Sequence, residues 1–380
     1  MKTFNTYYTD EKDLEEFIST NSIKDSSSLL IQVFTAKNDK NFIQSVTTQI
    51  DKFLPNSFLI GSTTDGEIKD GDVTTGHTVI SFSLFENSAL KIFISNEFEN
   101  YRDAGEKLAT NLIEPNTKAI ISFIDGIGSN GEEFLNGISS IDSSVIVAGG
   151  LAGDGARFVS TYIFTKEHVF SRGVVGVSLN SEVLKIYSDY SFEWLPIGVE
   201  LHITKAVDNR VYTINDKTAY DTYAYYFGED IAKMLPAVGI EFPLIIKRDG
   251  INIARAVVAK EDDGSLIFAG NLHDGDIVMF GYGDSDAILA RVDKHYNNFL
   301  DKSIESIFIY SCMARRRFMP KTICRETKPF NAIAPTSGFF TYGEFYSSDR
   351  KELLNQTMTT LALSESDASK EQIVVLDDNR

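Results

Sequence analysis

The chain has 380 residues, 43% of them hydrophobic, which is enough to bury a large core and to build two domains. Its net charge of −18 argues against nucleic acid and anionic membranes as partners, because both select for basic surface. No apolar run approaches the roughly 20 residues a membrane span needs, the start turns acidic at Asp10-Glu11 without a signal-peptide core, and Cys312 and Cys324 form no metal-type spacing. A soluble cytoplasmic protein with two free thiols is expected.

In chain order, residues 10 to 24 read as a short helix ahead of an apolar strand, Leu29 to Phe34. Asp39 then caps an amphipathic helix whose apolar face is Phe42, Ile43, Val46, Ile50 and Phe53. Phe58 to Gly61 runs into a turn, and Val79 to Phe85 with Leu90 to Ile94 reads as a hairpin around Asn87-Ser88. Ala104, Leu108 and Leu112 mark another helix before the strand Ala119 to Ile124. Gly126, Gly128 and Gly131 follow with the G-x-G-x-x-G spacing of a dinucleotide loop. The next strand, Val145 to Val147, ends in Ala148-Gly149-Gly150 where a ribose-binding acid would stand, and there is no Gly-Lys-Ser/Thr, so turn chemistry accounts for these glycines better.

Thr161 to Phe164 and Val174 to Leu179 flank a hairpin tip at Glu167-His168. Near residue 181 the texture shifts to strands such as Ile197 to Ala206. A tyrosine-rich helix, Tyr220 to Phe227, stops at Gly228. Strands Ile251 to Val258, Ser265 to Ala269 and Asp276 to Phe280 follow, then a helix capped by Asp284 with Ile288, Val292, Tyr296 and Phe299 on one face. The apolar run Ile304 to Tyr310 leads into Ser311-Cys312-Met313-Ala314-Arg315-Arg316-Arg317, and Gln356 to Leu363 reads as a last strand before a loose polar tail, residues 365–380.

One pattern occurs three times: an apolar strand, a helical segment, a short strand, then a small residue, four more, Gly and a carboxylate. The copies are Gly61 with Gly66-Glu67, Ala148 with Gly153-Asp154, and Gly338 with Gly343-Glu344. The expected fold is therefore α/β with mixed sheets built from repeated strand-helix-strand-turn-strand units, in two domains, residues 1–180 and 181–364. A right-handed crossover in the third copy lays its two strands parallel and opens their C-terminal ends on one edge.

That edge supplies the candidate site. Glu344 and Gly343 lie in its turn, with Tyr342 and Phe339 as aromatic walls. Arg315 and Arg316 follow the strand end, where a guanidinium fork suits a carboxylate. Cys312 precedes them, and a thiol there could be activated by the cationic cluster. Arg255 stands inside an apolar strand and needs a partner, a ligand or a buried acid. Asp154 is Glu344's counterpart in the second copy. The five histidines form no i, i+4 metal pair, so neither a metal site nor a catalytic residue is assigned.

Several of these segments resemble one family. Gly149-Gly150-Leu151-Ala152-Gly153-Asp154-Gly155 with Gly173-Val174-Val175-Gly176-Val177, and Ile60 to Ile68, resemble the FIST N-terminal domain. Asp262 to Gly270, Ser311-Cys312 with Arg315-Arg316, Gly338 to Glu344 and Asn355-Gln356-Thr357 resemble the FIST C-terminal domain. The resemblance spans residues 28 to 364. It implies a bacterial, cytoplasmic sensory input domain that binds a small ligand, an amino acid or related small acid, without catalysis. It also implies a signalling output partner such as a histidine kinase, a diguanylate cyclase or a chemotaxis component; no output domain follows in this sequence, so the chain is expected either to stand alone or to be the input part of a longer protein. Two alternatives stay open at this point: a haem-binding nitric oxide sensor, and a hydrolase or transferase using Cys312.

Overall fold

The structure, a computed structural model, describes residues 1–248 and 250–366. Of the expected tail, residues 367–380 lie outside the described residues, whereas Glu365 is held by the N–H groups of Glu86 and Asn87 at 2.7 and 3.0 Å. The core is built from three copies of one strand-helix plan. In the first, β1 (Lys2–Tyr7) leads through α1 (Glu11–Thr20) to β2 (Leu29–Thr35), α2 (Lys40–Phe53) and β3 (Phe58–Thr63). A small hairpin, β4 (Glu67–Lys69) and β5 (Asp72–Thr74), precedes β6 (Thr78–Leu84). The helix starts where expected, because the Asp39 carboxylate accepts the N–H groups of Asn41 and Phe42 at 2.8 and 3.0 Å.

The second copy repeats this as β7 (Ala89–Ser95), α3 (Tyr101–Leu112), β8 (Thr117–Ile124), α4 (Gly131–Ile141) and β9 (Ile146–Leu151). Its hairpin is β10 (Ile163–Phe164) with β11 (Val169–Phe170), and β12 (Val174–Asn180) closes it. The third copy opens with β13 (Lys185–Ser191), and a long excursion follows before its helices. The excursion holds β14 (Leu195–Val207), β15 (Arg210–Ile214), β16 (Lys217–Thr218), α5 (Ala219–Phe227) and α6 (Glu229–Lys233). It continues with β17 (Leu244–Arg248), β18 (Ile251–Arg255), β19 (Val257–Lys260), β20 (Leu266–Phe268) and β21 (Ile277–Tyr282). The plan resumes at α7 (Ser285–Ala290), α8 (Val292–Asn297), β22 (Ser306–Cys312), α9 (Met313–Phe318), α10 (Cys324–Thr327) and β23 (Thr336–Thr341). β24 (Glu344–Ser347) and β25 (Lys351–Leu354) form its hairpin, and β26 (Met358–Ser364) ends it.

Each copy makes a mixed sheet in the same order, and each borrows its last two strands from another copy. The sheets run β1-β6-β2-β3-β10-β11, β7-β12-β8-β9-β24-β25 and β13-β26-β22-β23-β4-β5. β2–β3, β8–β9 and β22–β23 are parallel, as a helical crossover requires. The fourth sheet, β18-β17-β21-β14-β15-β20-β19, is made entirely by the excursion.

The expected hairpin of residues 79–94 does not form. β6 pairs with β1 and β2, whereas β7 pairs with β12 in another sheet. Asn87-Ser88 is the hand-over between copies, and local alternation cannot tell a hairpin from two strands that part company. The tip at Glu167-His168 is real, but the strand returning from it is Val169–Phe170.

Inner faces of all three mixed sheets meet in one core. Phe34, Phe123 and Tyr310, from β2, β8 and β22, converge on Phe339, which stacks on Phe34 at 5.0 Å and meets the other two edge-on at 5.4 and 5.8 Å. Such contacts add packing specificity to apolar burial.

Candidate functional site

Strand register defines equivalent positions. The N–H groups of Ala36, Asp125 and Cys312 bond the carbonyls of His77, Gly173 and Thr357, at 2.9, 3.2 and 2.8 Å. Gly61, Gly149 and Gly338 face Val33, Ser122 and Ile309 across the parallel pairs. A Cβ at Gly149 or Gly338 would lie 2.0 and 1.8 Å from a carbonyl oxygen of that neighbouring strand. The small residue of the repeat is thus needed for close approach, and in the second copy it is Gly149 rather than Ala148.

Glu67 and Glu344 are true counterparts. They pair with Phe339 and Gly150, and the equivalent of both in the second copy is Ile163, opposite Ser62. Residues 155–162 are an additional loop there, and Asp154 stands at its start. Its carboxylate accepts the N–H groups of Arg157, Phe158, Val159 and Ser160 at 2.8–3.2 Å. Burial raises its pKa, but the Tyr342 hydroxyl and these N–H groups outweigh burial and hold it below the usual range. Asp154 is therefore a loop cap, which corrects its reading as an equivalent acid.

The loop borders a cleft between the C-terminal ends of the core strands and the sheet of the excursion. The cleft has two adjoining lobes, of about 510 and 430 Å³, which share Phe158, Val258, Ala269 and Tyr342 as walls. The larger lobe is mainly apolar, with Pro236, Ile240 and Val257 on one side and Cys312 and Met313 on the other. Arg317 is its charged group, and its side chain is 37% exposed. The second lobe is lined by the Gly126–Gly131 loop, Asp208, Asn209 and Asn271.

Tyr342 holds the wall between the lobes. Its ring stacks on Phe158 at 4.9 Å, and its hydroxyl donates to the Asp154 carboxylate. The same oxygen accepts the N–H groups of Asp154 and Ala156 at 3.1 and 2.9 Å. Just behind the apolar lobe, Glu344 is fully buried. Its Oε1 accepts the Thr341 hydroxyl at 2.9 Å, while Oε2 has no hydrogen-bond donor in good geometry among the described residues. Burial pushes the Glu344 carboxyl well above the carboxylate range, against the pull of Thr341, the Cys312 thiol and Arg315. Burial and the neighbouring Glu344 likewise push the Cys312 thiol up. Activation of Cys312 by the arginines, which the sequence allowed, is thus corrected: the thiol is held as the weaker, neutral nucleophile.

Other expected site residues are committed elsewhere. Phe339 is not a pocket wall but the centre of the core. Arg315 is fully buried, paired through two nitrogens with Glu326, and donates to the carbonyls of Phe192 and Gln356 at 2.8 and 2.9 Å. Arg255 is equally buried, against Glu132, and donates to Asn355 Oδ1 at 2.8 Å. No donor of either fork is turned to solvent, so both are corrected from ligand contacts to structural ties. Arg316 reaches Asp65 at 2.5 Å, and Gly343 donates its N–H to the Thr341 hydroxyl at 2.9 Å. Of the nine expected residues, Tyr342 and Cys312 line the cleft.

Reading the sequence missed Phe158, Asp208, Asn209 and Asn271, and from an arginine triplet considered together it chose Arg315 and Arg316 rather than the exposed Arg317. Signals existed for Phe158 and Arg317. Gly155-Ala156-Arg157-Phe158 breaks the Gly-acid spacing of the other copies, and three consecutive arginines cannot all share one environment on a short helix. Arg317 donates to Asp65 Oδ1 at 2.8 Å and to the Gly155 carbonyl at 3.0 Å. Two guanidiniums share that one carboxylate, which leaves a net positive charge at the apolar lobe.

The family model of the FIST N domain matches residues 29–217, and that of the FIST C domain matches residues 219–347. No curated protein matches the chain. Among solved structures, a crystal structure of chorismatase is similar over 95% of this chain and 98% of its own, at 10% identity and a TM-score of 0.33, too low to carry an argument.

Proposed function

Since the chain belongs to the FIST family of small-ligand sensory domains, with its N and C domains in tandem, we propose that the cleft is the sensory site and that it binds an amino acid or related small acid without turnover. The observation that carries this reading is Arg317, a partly exposed guanidinium with surplus positive charge beside an apolar lobe. Such a lobe suits one carboxylate and one apolar body, because the apolar area is removed from water while the anion keeps a charge-assisted partner. Catalysis through Cys312 finds no support in a thiol whose pKa is raised. Haem held by histidine finds none either, since no histidine among the described residues lines either lobe.

Ligand binding signals only if it favours one of two arrangements. The cleft joins two bodies, the core and the sheet of the excursion, so an occupant contacting both biases their relative position. The output is passed to a separate signalling protein or domain in the cytoplasm. No helix among the described residues is long and apolar enough to cross a membrane.

The test is a thermal-shift and calorimetric screen of amino acids and organic acids, followed by Arg317→Ala. A true ligand raises the melting temperature by mass action. Losing a charge-assisted contact costs roughly 1.5–3 kcal/mol, so the variant should bind about tenfold more weakly or worse. A screen without a hit, or a hit whose affinity ignores Arg317→Ala, overturns the reading.

A further inference from the structure

The two lobes differ in chemistry, and together they are large for a free amino acid. Cavities of about 300–1,000 Å³ hold drug-sized molecules, and here two adjoining lobes of about 510 and 430 Å³ form one cleft. The second lobe contains groups that the protein itself leaves unanswered. Asn271 is only 8% exposed and lines this lobe, and its side-chain amide makes no hydrogen bond to any described group, so both its donor and its acceptor are free to meet an occupant. Asn209 is half satisfied: Nδ2 donates to the Phe268 carbonyl at 2.9 Å, and Oδ1 accepts from no described donor. Asp208 lines the same lobe and carries an exposed carboxylate with no ion pair among the described residues.

These groups define an ordered set of demands. One end of the cleft offers a guanidinium beside an apolar pocket; the other offers a carboxylate beside amides that can both donate and accept. Between them the stacked Phe158 and Tyr342 rings leave a flat apolar wall. A single amino acid carries both charges on one carbon and cannot reach both ends while filling either lobe. A molecule with its carboxylate and ammonium separated by a planar amide answers every group.

We infer that the ligand is a short zwitterionic peptide, its carboxylate and apolar C-terminal side chain in the Arg317 lobe, its ammonium at Asp208 and its peptide group read by Asn271 and Asn209. The inference rests on the acid-binding reading of the Arg317 lobe and deepens it. The peptide's ends supply specificity for length: an N-acetylated peptide loses its partner at Asp208, and a longer chain displaces one end.

The experiment is isothermal titration of the full chain with Gly-Leu, Ser-Leu and Asn-Leu, with leucine, and with N-acetyl-Ser-Leu. At least one dipeptide should bind tenfold or more tightly than leucine, and acetylation should remove most of that gain. Asp208→Asn, at an exposed position, should erase the dipeptide's advantage while leaving leucine's affinity unchanged; Asn271→Ala should reduce it in part. Arg317→Ala should weaken dipeptide and leucine alike. If leucine binds as well as every dipeptide, or if Asp208→Asn changes nothing, the peptide inference falls and the acid-binding reading stands. If neither leucine nor any dipeptide binds, both fall.

Discussion

The turn Thr64–Glu67 and the turn Thr341–Glu344 share one backbone plan and have diverged in use. In each, a threonine hydroxyl donates to a buried glutamate three residues on, at 2.6 Å for Thr64 and 2.9 Å for Thr341. Asp65 occupies the position of Tyr342. In the first copy the turn faces its own hairpin, and Asp65 is fully engaged by Arg316 and Arg317. In the third it faces a cleft, because the excursion between β13 and α7 roofs that corner. The repeat thus supplies three similar strand-end corners, and two departures from it, the excursion and the loop 155–162, turn a single corner into a binding site. Function here resides in the asymmetry, on a scaffold whose regularity holds it still.

The largest effect should come from breaking the equivalence at the residue three places after Ala36 and Cys312, which is Asp39 in one copy and Arg315 in the other. Arg315→Met strands the buried Glu326 carboxylate, and breaking such a pair costs about 3–5 kcal/mol. Asp39→Ala removes a helix cap at the surface and should cost about 1 kcal/mol. Denaturant unfolding of the two variants should differ accordingly; equal losses would mean that the corners are equivalent in energy as well as in backbone.

Next in size is the pH response of the two glutamates. Burial raises Glu67 from an ordinary 4.5 to about 7, although Thr64, His77 and Thr74 donate to it. A raised folded-state pKa means that its contribution is complete below about pH 4.5 and is lost as pH climbs through 7, a change on the order of 3 kcal/mol. Glu67→Gln should flatten the stability profile across that window, and parallel profiles for wild type and variant would refute the assignment. Glu344 is fully buried and its Oε2 has no donor in good geometry among the described residues, so carboxyl-carbon NMR should show it titrating at higher pH than Glu67. The reverse order would show that the third corner is the better solvated one.

The smallest effect tests the backbone. Gly76 and Gln356 are counterparts, one residue before His77 and Thr357, and both have positive φ, 88° and 57°. Gly76→Ala should cost about 1 kcal/mol, since its surroundings are open and only the backbone angle objects. Gln356→Gly relieves strain but loses the 2.6 Å bond from Nε2 to the Ile240 carbonyl, so its melting temperature should stay within about 3 °C of wild type. A larger fall would make that bond, rather than the turn, the reason for glutamine.

Periodicity and spacing made the strands, the helices and the threefold plan legible, because each is written in local sequence. Asp39, Asp284 and Gly228 announced their helix ends through cap chemistry. Which sheet a hairpin joins was not legible, since β4, β10 and β24 pair with strands far away in the chain. The site was half legible. Cys312 and Tyr342 could be found from the strand end and the turn, but Arg315 and Arg317 look alike in sequence and differ only in burial. Asp154 misled because a carboxylate after glycine serves equally to cap a loop. The cleft's second lobe required the excursion to fold over the Gly126–Gly131 loop, a relation that no local pattern encodes.

The traded hairpins also constrain how the molecule can assemble on the ribosome. The first sheet waits for β10 and β11, the second for β24 and β25, and the third for β4 and β5, which emerge long before their partner β23. No copy can complete its own sheet from its own residues, so a nascent chain lacking the stretch around Glu344 has an open edge in its second sheet. Such distant pairings slow folding and keep edges exposed. Chains shortened before residue 344 should therefore aggregate rather than fold in part, and unfolding of the whole should run through all three sheets as one transition.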